Sequence, residues 1–264
     1  MPFLKFLNNG FFYTNFNDSL FLFILFISLS CVGAYLLGSI NSAILISRIV
    51  YHEDIRKFGS GNAGMTNMLR TYGALAAAGT FFGDLLKTVI AVSIPGIIFG
   101  FQFVNIAAVE AGQWGYFGIS IQPFCYLAGL CAVIGHIFPI YHKFKGGKGV
   151  MTTMTMAILL SHGPMLLLFI LFLIILFAFR YMSLASVTLS ILYPVALKIW
   201  FAVFGGGMDP VIAASSIAIA ILVVWSHRAN LKRIADKTER KVTLGKRKKA
   251  DALADAQKVE KDDE

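Results

Sequence analysis

The chain has 264 residues, 57% of them hydrophobic and only 14% charged, with a mean hydropathy of +0.73 and a formal net charge of +9. Soluble domains carry about a quarter charged residues, so a soluble globular protein is excluded and an integral membrane protein is expected. The basic residues flank apolar segments, which is the pattern of membrane orientation, and no nucleic-acid partner is expected.

In chain order the apolar segments run over about 20–47, 72–99, 123–142, 150–179, 182–203 and 209–226. Ahead of them, residues 1–19 hold one basic residue, Lys5. Arg48, Arg56, Lys57 and Arg70 lie between the first two segments, and Lys143, Lys145 and Lys148 follow the third. By contrast, residues 100–122 hold no basic residue, and 204–208 is only Phe-Gly-Gly-Gly-Met. Ten of the 23 basic residues fall between His227 and Lys249, opposed there by Asp236 and Glu239 alone. The positive-inside rule puts 48–71, 143–149 and the C-terminal tail in the cytoplasm, and the N-terminus outside.

Six crossings from an outside N-terminus would leave the basic tail outside, so one more crossing is required. The sequence Ser161-His162-Gly163-Pro164 supplies it, because Gly and Pro break helices. The halves 150–161 and 164–179 are shorter than the roughly 20 residues of a lone span, and are expected to lie sheltered or where the bilayer thins. The expected fold is an all-α integral membrane protein of about seven transmembrane helices, N-terminus outside and C-terminus cytoplasmic. Three regions follow: an extracytoplasmic segment 1–19, a membrane domain 20–240, and a charged tail 241–264 without apolar period.

The first cytoplasmic loop contains FGSGNAGMTN, in which Gly59, Gly61 and Gly64 spell G-x-G-x-x-G, with Asp84 downstream at the spacing of a ribose-binding acid. That fingerprint needs a preceding strand in a soluble α/β unit. Here an apolar helix precedes it and Asp84 falls inside the next membrane segment, so dinucleotide binding is rejected. The glycines can instead bring backbone amides close to an anion, and tight turns in a plain connector would equally favour Ser, Gly and Asn. The second loop, Lys143-Phe144-Lys145-Gly146-Gly147-Lys148-Gly149, leads straight into a helix. Glycines, lysines and a helix N-terminus together suit an anion, although lysines alone would also serve as a membrane anchor. It is not a Walker A sequence, since Gly149 rather than Ser or Thr follows Lys148. The third cluster is His227, Asn230, Arg233 and Glu239, where His227 and Asn230 share a helical face.

Few ionisable residues fall inside the apolar segments. Asp84 and Lys87, at i and i+3, are read either as an ion pair or as a wall of the site. His136 is read as a packing residue, Ser39 and Asn41 as helix-packing residues, and Lys198 as a residue reaching the outer interface. Cys31, Cys125 and Cys131 have no metal-site spacing and are read as small buried residues.

The stretches LGSINSA, DIRKFGSGNAGMTNMLRTYG, DLLK, GHIFPIYHKFKGGKGV, RYMSLAS and HRANLKRIADKTE together resemble the bacterial integral-membrane acyl-phosphate:glycerol-3-phosphate acyltransferases, the PlsY family. The likeness runs from about Ala34 to Glu239. It implies a seven-helix membrane enzyme that moves a fatty acyl group from acyl phosphate to the 1-hydroxyl of glycerol 3-phosphate, giving lysophosphatidic acid and phosphate. It places the functional serine and arginine of the first motif at Ser60 and Arg70. The glycines linked to glycerol 3-phosphate fall at Gly146, Gly147 and Gly149, beside Lys148, and the His and Asn of the third motif at His227 and Asn230. The chain departs from the family at Asn41 (usually Pro), Met65 (Ala), Thr88 (Gly), Ser226 (Arg) and Lys237 (Gly).

Acyl transfer from a mixed anhydride already has a good leaving group, so the protein needs chiefly to hold two phosphates and a carbonyl in attack geometry. The expected catalytic residues are Ser60, Arg70, Lys148, His227 and Asn230. Substrate contacts are expected from Gly59, Gly61, Asn62, Gly64, Thr66, Asn67, Lys145, Gly146, Gly147 and Gly149. Neither a metal, a cofactor nor coenzyme A is expected. Histidine general-base acyltransferases with H-x-x-x-x-D are a poor match, because the residues five after each His are Lys57, Tyr141, Gly147, Leu167 and Lys232. The expected setting is the bacterial plasma membrane with the site facing the cytoplasm, supplied by an upstream enzyme that forms acyl phosphate. The main alternative is a transporter for a phosphorylated or anionic solute. A second is a relative that kept the fold but lost activity.

Overall fold

The computed structural model describes residues 20–99, 121–204 and 207–242; the expected segment 1–19 and most of the tail 241–264 lie outside these. The described residues form helices joined by loops and two short 3-10 turns. In order the helices are α1 (Leu20–Ser39), α2 (Ser42–Val50), α3 (Met65–Tyr72), α4 (Ala74–Phe99), α5 (Gln122–Ile137), α6 (Val150–Leu160), α7 (His162–Phe179), α8 (Met182–Phe204), α9 (Pro210–Ser226) and α10 (Arg228–Ala235). Five spans are long and apolar enough to cross a membrane: α1, α4, α7, α8, and α5 continued through the 3-10 turn Ile140–His142; α9 and α10, bent by 54°, make a sixth if they count as one span. α6, with 11 residues, is too short to qualify alone. The protein is therefore a multi-pass membrane protein.

The segment expected over 20–47 is divided at Ile40–Asn41, which hydropathy could not show. Asn41 caps α2 by accepting from Ile44 N at 3.0 Å, and its Nδ2 reaches the Ala63 carbonyl at 3.3 Å. The carbonyls freed at the end of α1 are taken up by Lys87, whose Nζ lies 2.7 Å from Ile40 O and 3.2 Å from Gly38 O. The same ammonium pairs with Asp84 Oδ1 at 2.8 Å and donates to His136 Nδ1 at 3.0 Å. Ser42 Oγ completes the cluster by donating to Asp84 Oδ1 at 3.0 Å. An ionised pair inside a membrane persists when further hydrogen bonds compensate its desolvation, and Ser42, His136 and the carbonyls of Gly38 and Ile40 supply these.

α1 crosses α5 at backbone contact. A Cβ on Gly38 would lie 2.2 Å from the Ala132 carbonyl oxygen, and one on Gly135 would lie 2.2 Å from that of Tyr35. With Ala34, Ala128 and Ala132 fully buried, this is the small-residue packing that holds membrane helices where water cannot drive association. The break expected at Ser161–Pro164 falls between Leu160 and His162, with Pro164 in the first turn of α7, where no amide is required. Lys237, where the family usually carries Gly, sits at φ +58°, a left-handed position that glycine adopts without strain.

Candidate active site

Residues 54–67 fold as a tight polar loop. Asp54 accepts from Arg56 N at 3.1 Å, Arg56 Nε at 2.9 Å and Arg56 Nη2 at 2.7 Å, and pairs with Arg48 at 2.9 Å. The Arg56 guanidinium chiefly, with Arg48, holds the Asp54 carboxyl well below the usual carboxylate range. The remaining arm of Arg56, Nη1, donates to the carbonyls of His142 at 3.2 Å and Lys145 at 3.0 Å. One side chain thus fastens the first loop to the second. Sequence reading counted Arg56 among the polar residues of the first cytoplasmic loop and gave it no partner.

Asn67 is buried, and its amide organises the glycine turn. Oδ1 accepts from Ser60 N at 3.0 Å, while Nδ2 donates to Phe58 O at 2.9 Å and Ile55 O at 3.3 Å. Gly59 has φ +63°, and a Cβ there would meet Asn67 Oδ1 at 2.3 Å, so the turn accepts only glycine. Ser60 and Gly61 are left exposed at its tip.

The second loop packs against the end of α5. The amides of Gly146 and Gly147 donate to Ile137 O at 3.1 Å and His136 O at 3.0 Å, so they form no open nest for an anion. Cβ atoms on these glycines would lie 2.1 Å from His136 O and 2.2 Å from His136 Nε2 respectively. Glycine is needed here so that the loop can lie flat on the end of α5. Gly149, at φ +77°, then starts α6, whose first internal bond runs from Thr153 N to Gly149 O at 2.8 Å.

In the third cluster, Lys148 Nζ donates to Asn230 Oδ1, and Asn230 Nδ2 donates to Glu239 Oε1 at 2.7 Å. Glu239 also accepts from Ser183 Oγ at 2.9 Å and Arg233 Nε at 2.8 Å. Burial would raise the Glu239 pKa, but the bonds from Asn230, Arg233 and Ser183 prevail and hold it below its ordinary value. Burial pushes Lys148 down to about 8; Glu239 opposes this, while Arg233 and Arg70 add to it. His227 Nδ1 lies 2.8 Å from the Val223 carbonyl, which can only accept, so the proton sits on Nδ1 and Nε2 is the acceptor. Ser226, at a position where the family usually has Arg, ties the end of α9 to the Lys148 carbonyl at 3.1 Å.

These three clusters border one cavity of about 960 Å³. Of the expected residues, Gly59, Ser60, Gly61, Asn62, Gly64, Thr66, Asn67, Arg70, Lys148, Gly149, His227 and Asn230 line it. Lys145, Gly146 and Gly147 do not. Asp84 and His136 reach the wall as well, so the buried cluster is both an ion pair and a border of the site. The cavity continues into an apolar groove between α6, α7 and α8. Its lining residues follow a helical face on each: Met154, Ala157 and Ile158; Met165, Leu168 and Phe172; Leu189 and Tyr193. Sequence reading expected an acyl chain between helices but could not say which helices form the groove, because most membrane helices here are apolar on nearly every side.

The family model of glycerol-3-phosphate acyltransferases matches residues 28–237. A glycerol-3-phosphate acyltransferase of Bacillus cereus (strain G9842) is 36% identical over 220 residues, covering 83% of this chain and 96% of the relative. One from Coxiella burnetii (strain Dugway 5J108-111) is 36% identical over 216 residues, covering 82% and 98%. The crystal structure of PlsY, an integral membrane glycerol 3-phosphate acyltransferase, in its glycerol 3-phosphate form is 30% identical with a TM-score of 0.65, covering 82% of this chain and 96% of that one. The lysophosphatidic acid form of that protein aligns with a TM-score of 0.63. With its polar site, its membrane helices and matches across most of its length, the chain belongs to the glycerol-3-phosphate acyltransferase family of integral membrane enzymes, that of PlsY.

Proposed function

We propose that the protein transfers a fatty acyl group from acyl phosphate to the 1-hydroxyl of glycerol 3-phosphate, forming lysophosphatidic acid and phosphate. The observation that carries this reading is the two-part cavity: one end is bordered by Arg70, Lys148 and Arg233, and the other is an apolar groove within the helices. An acyl phosphate has that polarity, and a second phosphate explains the number of cations.

In this reading Ser60, Asn62 and Arg70 hold the donor's phosphate, on the turn shaped by Gly59, Gly61, Gly64, Thr66 and Asn67. Lys148, at the start of α6, takes the phosphate of glycerol 3-phosphate, and the loop of Lys145, Gly146, Gly147 and Gly149 sets its position. His227 Nε2 and Asn230 orient the attacking hydroxyl. The hydroxyl oxygen attacks the acyl carbon, the bond from that carbon to the bridging oxygen breaks, and the hydroxyl proton leaves on the departing phosphate. Catalysis then consists of positioning and charge neutralisation. The proposed setting is a bacterial plasma membrane, crossed about seven times, with the site facing the cytoplasm.

Purified protein in detergent, given palmitoyl phosphate and glycerol 3-phosphate, is expected to yield lysophosphatidic acid and phosphate, and none from palmitoyl-coenzyme A. Solute flux into liposomes without product would support a transporter instead. A Lys145→Cys variant is expected to react with an impermeant maleimide only from the cytoplasmic side, and labelling from outside would reverse the topology.

A further inference from the structure

Many hydroxyl side chains within these membrane helices hydrogen-bond a carbonyl one turn back. Ser30, Thr80 and Thr88 do so at 2.7, 2.9 and 2.6 Å, and Ser186 and Ser190, which line the groove, at 2.9 and 2.8 Å. Thr153 does not. Among the described residues, the buried side-chain polar atoms without a partner are His142 Nδ1 and the hydroxyls of Thr152 and Thr153; of these residues, Thr153 alone lines the cavity. It is 8% exposed. A buried hydroxyl without a partner costs about 1–3 kcal/mol; this one is covered by its surroundings although its residue lines the cavity, so it reaches a ligand there by turning about χ1.

Its position along α6 identifies that group. Lys148 and Gly149 stand at the mouth of the helix, whose N-terminal turn favours negative charge. Met154, Ala157 and Ile158 line the apolar groove beyond. Thr153 is four residues past Gly149, a rise of about 6 Å, and so sits where the polar end gives way to the apolar one. An acyl phosphate has the same order of parts: phosphate, then carbonyl, then chain. Threonine in a helix divides between two χ1 wells, and turning from one to the other exchanges its methyl and hydroxyl. We propose that Thr153 is a substrate-binding and catalytic residue whose hydroxyl donates a hydrogen bond to the acyl carbonyl oxygen of the donor, where negative charge grows as the glycerol hydroxyl attacks. This inference rests on the acyltransferase reading above. A donor aimed at the developing oxyanion acts more on the transition state than on the ground state.

The test compares wild type, Thr153→Val and Thr153→Ser with palmitoyl phosphate and glycerol 3-phosphate, following kcat and each KM, with thermal midpoints as a control. Valine keeps the shape and removes the donor. Thr153→Val is expected to lower kcat by roughly ten- to a hundredfold, the size of one lost donor at such a site. The KM for glycerol 3-phosphate should be nearly unchanged, and Thr153→Ser should recover most of the rate. Wild-type rates in Thr153→Val would overturn the proposal and assign the hydroxyl to a bound water. A loss that Thr153→Ser does not repair, or one that falls on the glycerol 3-phosphate KM, would overturn it in favour of packing. An inactive wild-type protein would instead overturn the acyltransferase reading itself, and this inference with it.

Discussion

The ammonium of Lys148 and the amide of Asn230, 82 residues apart, meet in a hydrogen bond that Glu239 extends at 2.7 Å to Asn230 Nδ2. Because Asn230 Nδ2 donates to Glu239, its Oδ1 is turned toward Lys148, and one carboxylate of the cavity lining fixes the position of a cation through Asn230. Glu239 is itself held by Ser183 and Arg233, so α8 and α10 join in the same arrangement.

The burial that brings Lys148 down to about 8 gives a pH dependence with a definite sign. Raising the pH removes the proton, and a neutral amine cannot balance a phosphate dianion. With glycerol 3-phosphate varied, kcat/KM is expected to fall above about pH 8, approaching tenfold per unit. Lys148→Arg, if active, should lose this limb, because guanidinium stays charged throughout. An unchanged alkaline limb in that variant would assign the titration to another group.

Arg70 lines the cavity from the last turn of α3, which Gly73 ends at φ +90°. Arg70→Lys keeps the charge but loses the planar, two-pronged grip on phosphate. A loss of about ten- to a hundredfold in kcat/KM for acyl phosphate is expected, the range of a charge-assisted hydrogen bond. Steady-state kinetics with varied donor measures it, and a variant near wild type would remove Arg70 from the phosphate site.

Arg56 lines the cavity and fastens its second loop through the carbonyls of His142 and Lys145. Arg56→Gln should raise the KM for glycerol 3-phosphate by roughly tenfold, as the second loop loses its register, with a smaller change in kcat. Arg56→Lys should not restore it, because one ammonium cannot serve Asp54 and two carbonyls in their fixed directions. Equal losses in kcat and in both KM values would point to general unfolding of the loop.

At the deep end of the groove the Tyr193 hydroxyl lies 3.0 Å from Ser161 Oγ and 3.5 Å from that of Tyr126. Ile158 and Met165 reach the same level from either side of the α6–α7 break. Ser183 and Tyr193 are separated by a rise of about 15 Å along α8, so a long chain lying straight meets this floor. Tyr193→Ala is expected to raise the kcat/KM ratio of stearoyl over lauroyl phosphate by about tenfold, the worth of a methylene or so in a fitted pocket. A ratio that does not move would mean that the chain leaves the groove sideways into lipid.

Membrane character, the basic loops and the break before Pro164 were all legible in the sequence. Hydropathy, charge placement and helix-breaking residues are local properties, and in a bilayer they act almost alone. The family was legible for a related reason: its polar motifs stand out against an apolar background. Local pattern could not say that the glycines of 146–147 serve contact with α5 while Gly149 begins a helix, since both look alike as a run of glycines. Nor could it choose between ion pair and site wall for Asp84, which turned out to be both once α1, α4 and α5 were packed together. The apolar groove, the orphan hydroxyl of Thr153 and the clamp of Arg56 exist only through contacts between helices and loops distant in the chain. Those contacts are set by side-chain shape and hydrogen-bond geometry in three dimensions, which is why the tertiary structure alone decided them.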